Sequence, residues 1–302
     1  RVQTLRNFLL TSGRFYGSPL KVTAVAALDL VTNKSVAKMA LFLSRLLNSR
    51  FINGHFHLQA LAAPFKVWAD GMITPLAEEL PVTRLLNETD LEDREARHDI
   101  LSDPQYIRDF KKMWHDGKRG WSISRIKRWL QIEDPALTRD LKDMIIDDCP
   151  IDIWAGESMQ AVYERLLHWQ SSGAGARTDA EKEAFETAAK PIGDDADFLL
   201  YLLRSYDTDL RWYSVTANAD GQMMRKLLFH PLILPGFNDS GAHLTNMAFY
   251  DGNLRGLQLA AEEGLSQVAS MVKRLTRDPA EFFSLDVGTL EIGAQADIIL
   301  ID

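Results

Sequence analysis

The sequence predicts an α/β fold in which strands and helices alternate, and three observations carry that expectation. Short apolar runs rich in β-branched residues recur along the 302 residues. Between them lie stretches whose apolar residues return at three- and four-residue spacing, the period of a helix with one buried face. The two signatures interleave rather than segregate, as βα units do. A hydrophobic share of 46% is enough for a core, and 25% charged residues is too few for a disordered chain.

The elements follow in order. Residues 22–28 read as a buried strand, and Ser35 can cap the next helix, with Val36, Met39, Ala40, Leu43, Leu46 and Leu47 on its apolar face. Residues 56–61 are a second strand, 151–154 a third, 212–215 a fourth and 232–237 a fifth. Helices are expected over 158–169, 180–189, 197–205, 222–228, 254–263 and 265–275. Residues 171–183 form a loop that enters a helix at Thr178. From 78 to 148 the chain is dense in charge, and LEDREARHDI and SDPQYIRDFKKMW read as solvent-facing amphipathic helices. No Gly/Ser/Pro linker brackets this stretch, so it is expected as a helical insertion within one domain of residues 1–284. Residues 288–302, GTLEIGAQADIILID, read as a turn followed by a strand at 298–301, so 285–302 is expected to begin a small β element.

Composition excludes several functions. With 34 Lys+Arg against 42 Asp+Glu the net charge is −8, and no basic block exists to hold nucleic acid. Cys149 is the only cysteine, which excludes an internal disulfide or a CxxC site. No apolar run approaches the roughly 20 residues of a membrane span, so a cytoplasmic location is expected. The chain starts at Arg1 and stops within an apolar run, the pattern expected of the interior of a longer protein. GxGxxG, GxxxxGK[ST] and GxSxG are all absent, which argues against a nucleotide-binding enzyme or a serine hydrolase.

The stretch LPGFNDSGAHLTNM, residues 234–247, concentrates chemistry. A strand ends there and Asn238, Asp239, Ser240 and Gly241 follow at once, with His243 two residues on. In a parallel barrel, strand C-terminal ends build the active-site face. Asp239 could bind a divalent metal or take a proton there, or simply cap a turn. Arg255 could meet a substrate carboxylate or pair with Asp251 on its own helix. His55 and His57 form an HxH with both imidazoles on one strand face; the pair can ligate zinc or be a polar strand face, and no metal is expected between them. Cys149 reads as a small buried hydrophobe, His98, His115 and His168 as helix-surface or packed residues, and His230 as structural.

Three motifs together, GFNDSGAHLTNM, LTRDPAEFF and GTLEIGAQADIILID, resemble the C-terminal half of a metal-dependent amidohydrolase, nearest to the N-acyl-D-amino-acid deacylase (D-aminoacylase-like) group. TPLAEELP and DREARHDILSDP resemble that group's long insertion. The resemblance implies part of a (β/α)8 TIM-type barrel plus a strand of a small β-sandwich. It also implies a hydrolase of carbon–nitrogen bonds other than peptide bonds, acting on a small molecule with Zn2+ or another divalent metal. It matches Asp239 to the eighth-strand Asp, a metal ligand and proton shuttle, and Ser240 and His243 to the loop just after it that borders the substrate; Asn238 and Gly241 beside them are expected to bind substrate too. His55-Phe56-His57 lacks the Pro-Gly-Phe-Ile-Asp lead of the family's first-strand motif, so most metal ligands are expected outside this chain. A linear-amide deacylase, a cyclic-amide hydrolase of the hydantoinase or dihydroorotase type, and a non-catalytic barrel remain alternatives. A homo-oligomer is compatible with each.

Overall fold

The computed structural model describes residue 7 and residues 21–116, 136–188, 192–236, 247 and 249–301. The fold is mixed α/β and mostly helical. In chain order the elements are β1 (Lys21–Ala27), α1 (Ser35–Leu47), β2 (His55–Ala60), β3 (Phe65–Asp70), α2 (Pro81–Asn87), α3 (Arg94–Ser102) and α4 (Pro104–Asp116). There follow β4 (Ile145–Asp148), α5 (Met159–Ser172), α6 (Asp179–Thr187), α7 (Asp195–Tyr206), β5 (Arg211–Ala217) and α8 (Gly221–Leu228). The last are β6 (Ile233–Pro235), α9 (Gly252–Glu263), α10 (Leu265–Leu275) and α11 (Arg277–Phe283). Among the described residues no helix is long and apolar enough to cross a membrane.

The chain divides into two compact units. The first takes 1–65, 217–242 and 248–302, and its centre is a parallel sheet of order β1-β2-β6. Lys21 pairs with His55 and Ala27 with Ala60, while Leu58 pairs with Ile233 and Ala60 with Pro235. Val22, Phe56, Leu58 and Ile233 join residues of α1, α8, α9 and α10 in one apolar core, and β2 alternates accordingly, burying Phe56, Leu58 and Ala60 between His55, His57 and Gln59. Among the described residues the parallel strands form an open sheet and no closed barrel.

Three expectations about this unit are corrected. Ser35 is the first residue of α1 rather than its cap; Asn33 Oδ1 accepts from the Ser35 N–H at 3.0 Å. The buried face of α1 is Ala37, Ala40, Leu41, Ser44 and Leu47, one residue round from the expected one, and Met39 and Leu46 are exposed. Residues 298–301 form no strand and stand 53% to 98% exposed. A strand persists only where its N–H and C=O groups find a ladder, and no described strand pairs with this run.

The second unit takes 66–216 and 243–247, so the charge-dense stretch belongs with 149–216. Its sheet has the order β3-β5-β4, with β4 antiparallel to β5. The expected strand at 151–154 is a 3₁₀ turn, Asp152–Trp154, and the strand lies earlier, at Ile145–Asp148. The turn drops the Trp154 indole into the core, where Nε1 donates to Glu181 Oε1 at 2.7 Å. Neither charged helix is wholly solvent-facing: α4 buries Tyr106, Phe110 and Trp114, and α3 buries Arg97 against Asp207 with two bonds of 2.8 Å. Thr178 caps α6, its side chain accepting from the Glu181 N–H.

Candidate functional site at the C-terminal edge of the parallel sheet

Because β1, β2 and β6 run parallel, all three end at one edge. Beyond β6 the chain turns at Gly236, whose φ of +131° suits glycine and whose N–H donates to Ala60 O at 3.2 Å. Asn238, Asp239, Ser240, Gly241 and His243 come next in the chain and lie outside the described residues. A cavity of about 160 Å³ opens at this edge, lined among others by Ala60, Ala62, Pro235, Gly236, Tyr250 and Asn253.

Arg274 also lines this cavity and braces its wall. The residue is 5% exposed, and its guanidinium donates to the carbonyls of Leu228 and His230, which lead into β6, and of Ile233, which opens it. Burial pulls its pKa down to about 10, with Asp278 opposing, so it stays cationic at neutral pH. Paired with three carbonyl dipoles, the buried charge keeps its partners.

One strand over, a second group of polar residues is built into the same edge. Asp29 follows β1, and its carboxylate, 3% exposed, accepts from Lys34 Nζ at 2.6 Å. Asn218 follows β5 in the left-handed region, φ +58°, and is 1% exposed. Its Nδ2 donates to Leu61 O at 3.3 Å and Ala63 O at 3.1 Å, just past the end of β2. Sequence reasoning missed Asp29, Lys34 and Asn218. The available signal was an acid set directly after the apolar run of β1.

His55 and His57 sit elsewhere. His55 opens β2, five residues before Ala60, so it lies roughly 16 Å from the C-terminal edge at strand rise. His57 is half-buried, its Nδ1 3.1 Å from Leu232 O and its ring edge-on to Phe282. Burial lowers its pKa and outweighs the opposing Leu232 carbonyl. Arg255 is exposed on α9, where it donates to Gln258 Oε1 at 3.2 Å rather than pairing with Asp251. Cys149 is buried and donates to Ile151 O, as a packed thiol does. His230 Nδ1 accepts from the Leu232 N–H, a structural role. Among the described residues no three His, Cys, Asp or Glu side chains converge to hold a metal ion. The described edge alone does not fit a metal centre.

No protein-family model matches the chain, and no solved structure matches it. Over 266 residues it is 32% identical to an uncharacterized protein of Mycobacterium bovis and to uncharacterized proteins of two strains of Mycobacterium tuberculosis. Each match covers 86% of this chain and 37% of the relative. The chain thus spans a little over a third of the length of the curated relatives it matches.

Proposed function

We propose that the chain is part of an amidohydrolase that cleaves the amide of N-acyl amino acids, D-configured ones in the first instance. One observation supports the reading: β6 ends at Pro235, three residues before Asn238 in the chain, at the edge where β1 and β2 also end. Enzymes built on parallel α/β barrels gather their chemistry at that edge. On this reading β1-β2-β6 is an arc of a (β/α)8 barrel. The resemblance supplies the substrate class.

The chemistry asked of this chain is proton transfer. Asp239 takes a proton as water oxygen bonds to the amide carbon, then returns it to the nitrogen as the C–N bond breaks. Asn238, Ser240, Gly241 and His243 border the substrate, and Arg255 is a candidate for its carboxylate. The reading includes a divalent metal, zinc first, for which Asp239 is this chain's candidate ligand. The described residues supply no ligand set, so no step is drawn through the metal. A small-molecule substrate, a cytoplasmic setting, possible homo-oligomers and no role for nucleic acid or membrane belong to the same reading.

The test is a substrate panel on the intact purified protein with its metal content measured. N-acyl-D-amino acids, their L-forms and cyclic ureides are compared. Release of free amino acid from the N-acyl-D series, lost in Asp239→Asn, is the expected result. Turnover of cyclic ureides alone would transfer the reading to the hydantoinase type. A metal-loaded protein that cleaves none of them would overturn it.

A further inference from the structure

A second pocket, of about 400 Å³, lies in the second unit between α3 and α7. Its lining is Arg94, Glu95, His98, Leu101, Leu203, Arg204 and Asp207. Leu101 and Leu203 are each 2% exposed and make an apolar floor. The cationic groups around that floor are not equally occupied. Arg94 is taken up by Asp209 at 2.7 Å and Asp207 at 3.4 Å. Arg97, which is not part of the lining, is bound to Asp207 through Nε and Nη2. Arg204 differs, because only its Nε is used, donating to Leu200 O at 3.1 Å. That bond orients the guanidinium and leaves its two terminal nitrogens without a partner among the described residues. Nearby Asp197 offers little competition, since Lys111 Nζ holds both its oxygens at 2.9 Å. His98, exposed on the same wall, also has no partner among the described residues.

We infer that this pocket binds a small monoanionic carboxylate with an apolar body, the carboxylate on Arg204 and His98 and the body on Leu101 and Leu203. A planar guanidinium with two free terminal nitrogens matches a carboxylate bidentately. The pocket volume falls within the range of small-molecule sites. Glu95 and Asp207 set the charge limit: two carboxylates on the lining disfavour a dianion such as phosphate. Desolvation already lowers the Arg204 pKa, with Asp197 opposing, and a bound anion would relieve that cost.

Isothermal titration calorimetry on the whole chain tests this with octanoate as probe, and octanol and inorganic phosphate as contrasts. Octanoate should saturate one site, with octanol and phosphate at least about tenfold weaker. Arg204→Gln should weaken octanoate by about tenfold or more, and Arg204→Lys by less, because it keeps the charge and loses the fork. His98→Gln provides a second variant on the pocket rim, should Arg204→Gln fold poorly, and should weaken octanoate as well. Unsaturable octanoate binding, phosphate binding as tightly as octanoate, or full affinity in folded Arg204→Gln or His98→Gln would each overturn the proposal.

Discussion

Asn218 and Asp29 clasp each other through main chain and side chain. The Asp29 N–H donates to Asn218 Oδ1 at 3.1 Å, and the Asn218 N–H returns a bond to Asp29 O at 2.9 Å. Since Asn218 Nδ2 also holds Leu61 O and Ala63 O, one side chain ties the chain beyond β1 to the chain beyond β2. The edge of the parallel sheet is therefore set by an amide rather than by packing alone.

Asn218→Gly should cost about 2–3 kcal/mol, because three side-chain hydrogen bonds vanish and buried partners lose theirs. Asn218→Ala should cost roughly 1 kcal/mol more, since φ +58° suits glycine and strains alanine. Urea unfolding of both variants checks the order. Equal losses would mean that the backbone conformation is not under strain.

Glu181 governs an acid limb of stability in the second unit. It is 0% exposed, yet accepts from Trp154 Nε1, from Arg165 and from the Arg177 N–H at 2.7–3.0 Å. Burial works to raise its pKa, and these bonds outweigh it, so the folded value lies below the ordinary 4.5. A depressed carboxylate stabilises the fold above its unfolded pKa, and that contribution fades as pH falls through the folded value. Glu181→Gln should thus cost about 2–3 kcal/mol at neutral pH, less than a fully buried broken pair because Arg165 is 20% exposed. Below about pH 4.5 the variant should lose less further stability than wild type, with Glu157, also depressed, supplying the remaining slope. Parallel slopes would contradict the assignment.

Arg274→Lys should be poorly tolerated despite keeping the charge. A lysine ammonium is a compact charge without the guanidinium's spread of five donors, so it cannot reach the carbonyls of Leu228, His230 and Ile233 together. The expected loss is about 2–3 kcal/mol, read by chemical denaturation. Hydrogen exchange should quicken first at Ile233 and Leu234. Wild-type stability in Arg274→Lys would show that the carbonyls find water instead.

In the intact protein Asp239→Asn should lower turnover by about 10²–10⁴, the usual worth of a general acid–base group. His243→Ala should raise KM or lower kcat/KM without metal loss, the pattern of a substrate contact. Steady-state kinetics alongside metal analysis separates the two. Metal loss in His243→Ala would make His243 a ligand, and full activity in Asp239→Asn would leave Asp239 a turn residue.

Local signals in the sequence were reliable where local physics decides. The bounds Leu265–Leu275 follow from helical spacing, and Thr178 is a cap because its hydroxyl meets an N–H three residues on. Burial direction was harder: Met39 is apolar and 42% exposed, while Ser44 is polar and fully buried, so period alone turned the face of α1 by one residue. The strand over Ile145–Asp148 was hidden by its two aspartates, whose side chains need only stay outside a sheet. Asp29 and Asn218 were illegible for another reason. They are 189 residues apart, and no local pattern announces a partner that distant. Asn238, Asp239, Ser240, Gly241 and His243 stand out by residue type alone, and they lie outside the described residues.

The run from Ile298 to Ile301 also has a colloidal consequence. Four β-branched or aliphatic side chains, 76%, 84%, 98% and 53% exposed, stand in sequence without a charge or a proline among them. Exposed β-branched residues in a row favour pairing with their own copies in cross-β fashion; Asp297 and Asp302 flank this run as gatekeepers, and a charge in its middle would oppose such pairing further. Ile299→Lys should leave the melting temperature unchanged and raise the concentration at which light scattering first climbs. The shelf life of this chain in a tube would then depend on four residues that contribute almost nothing to its core.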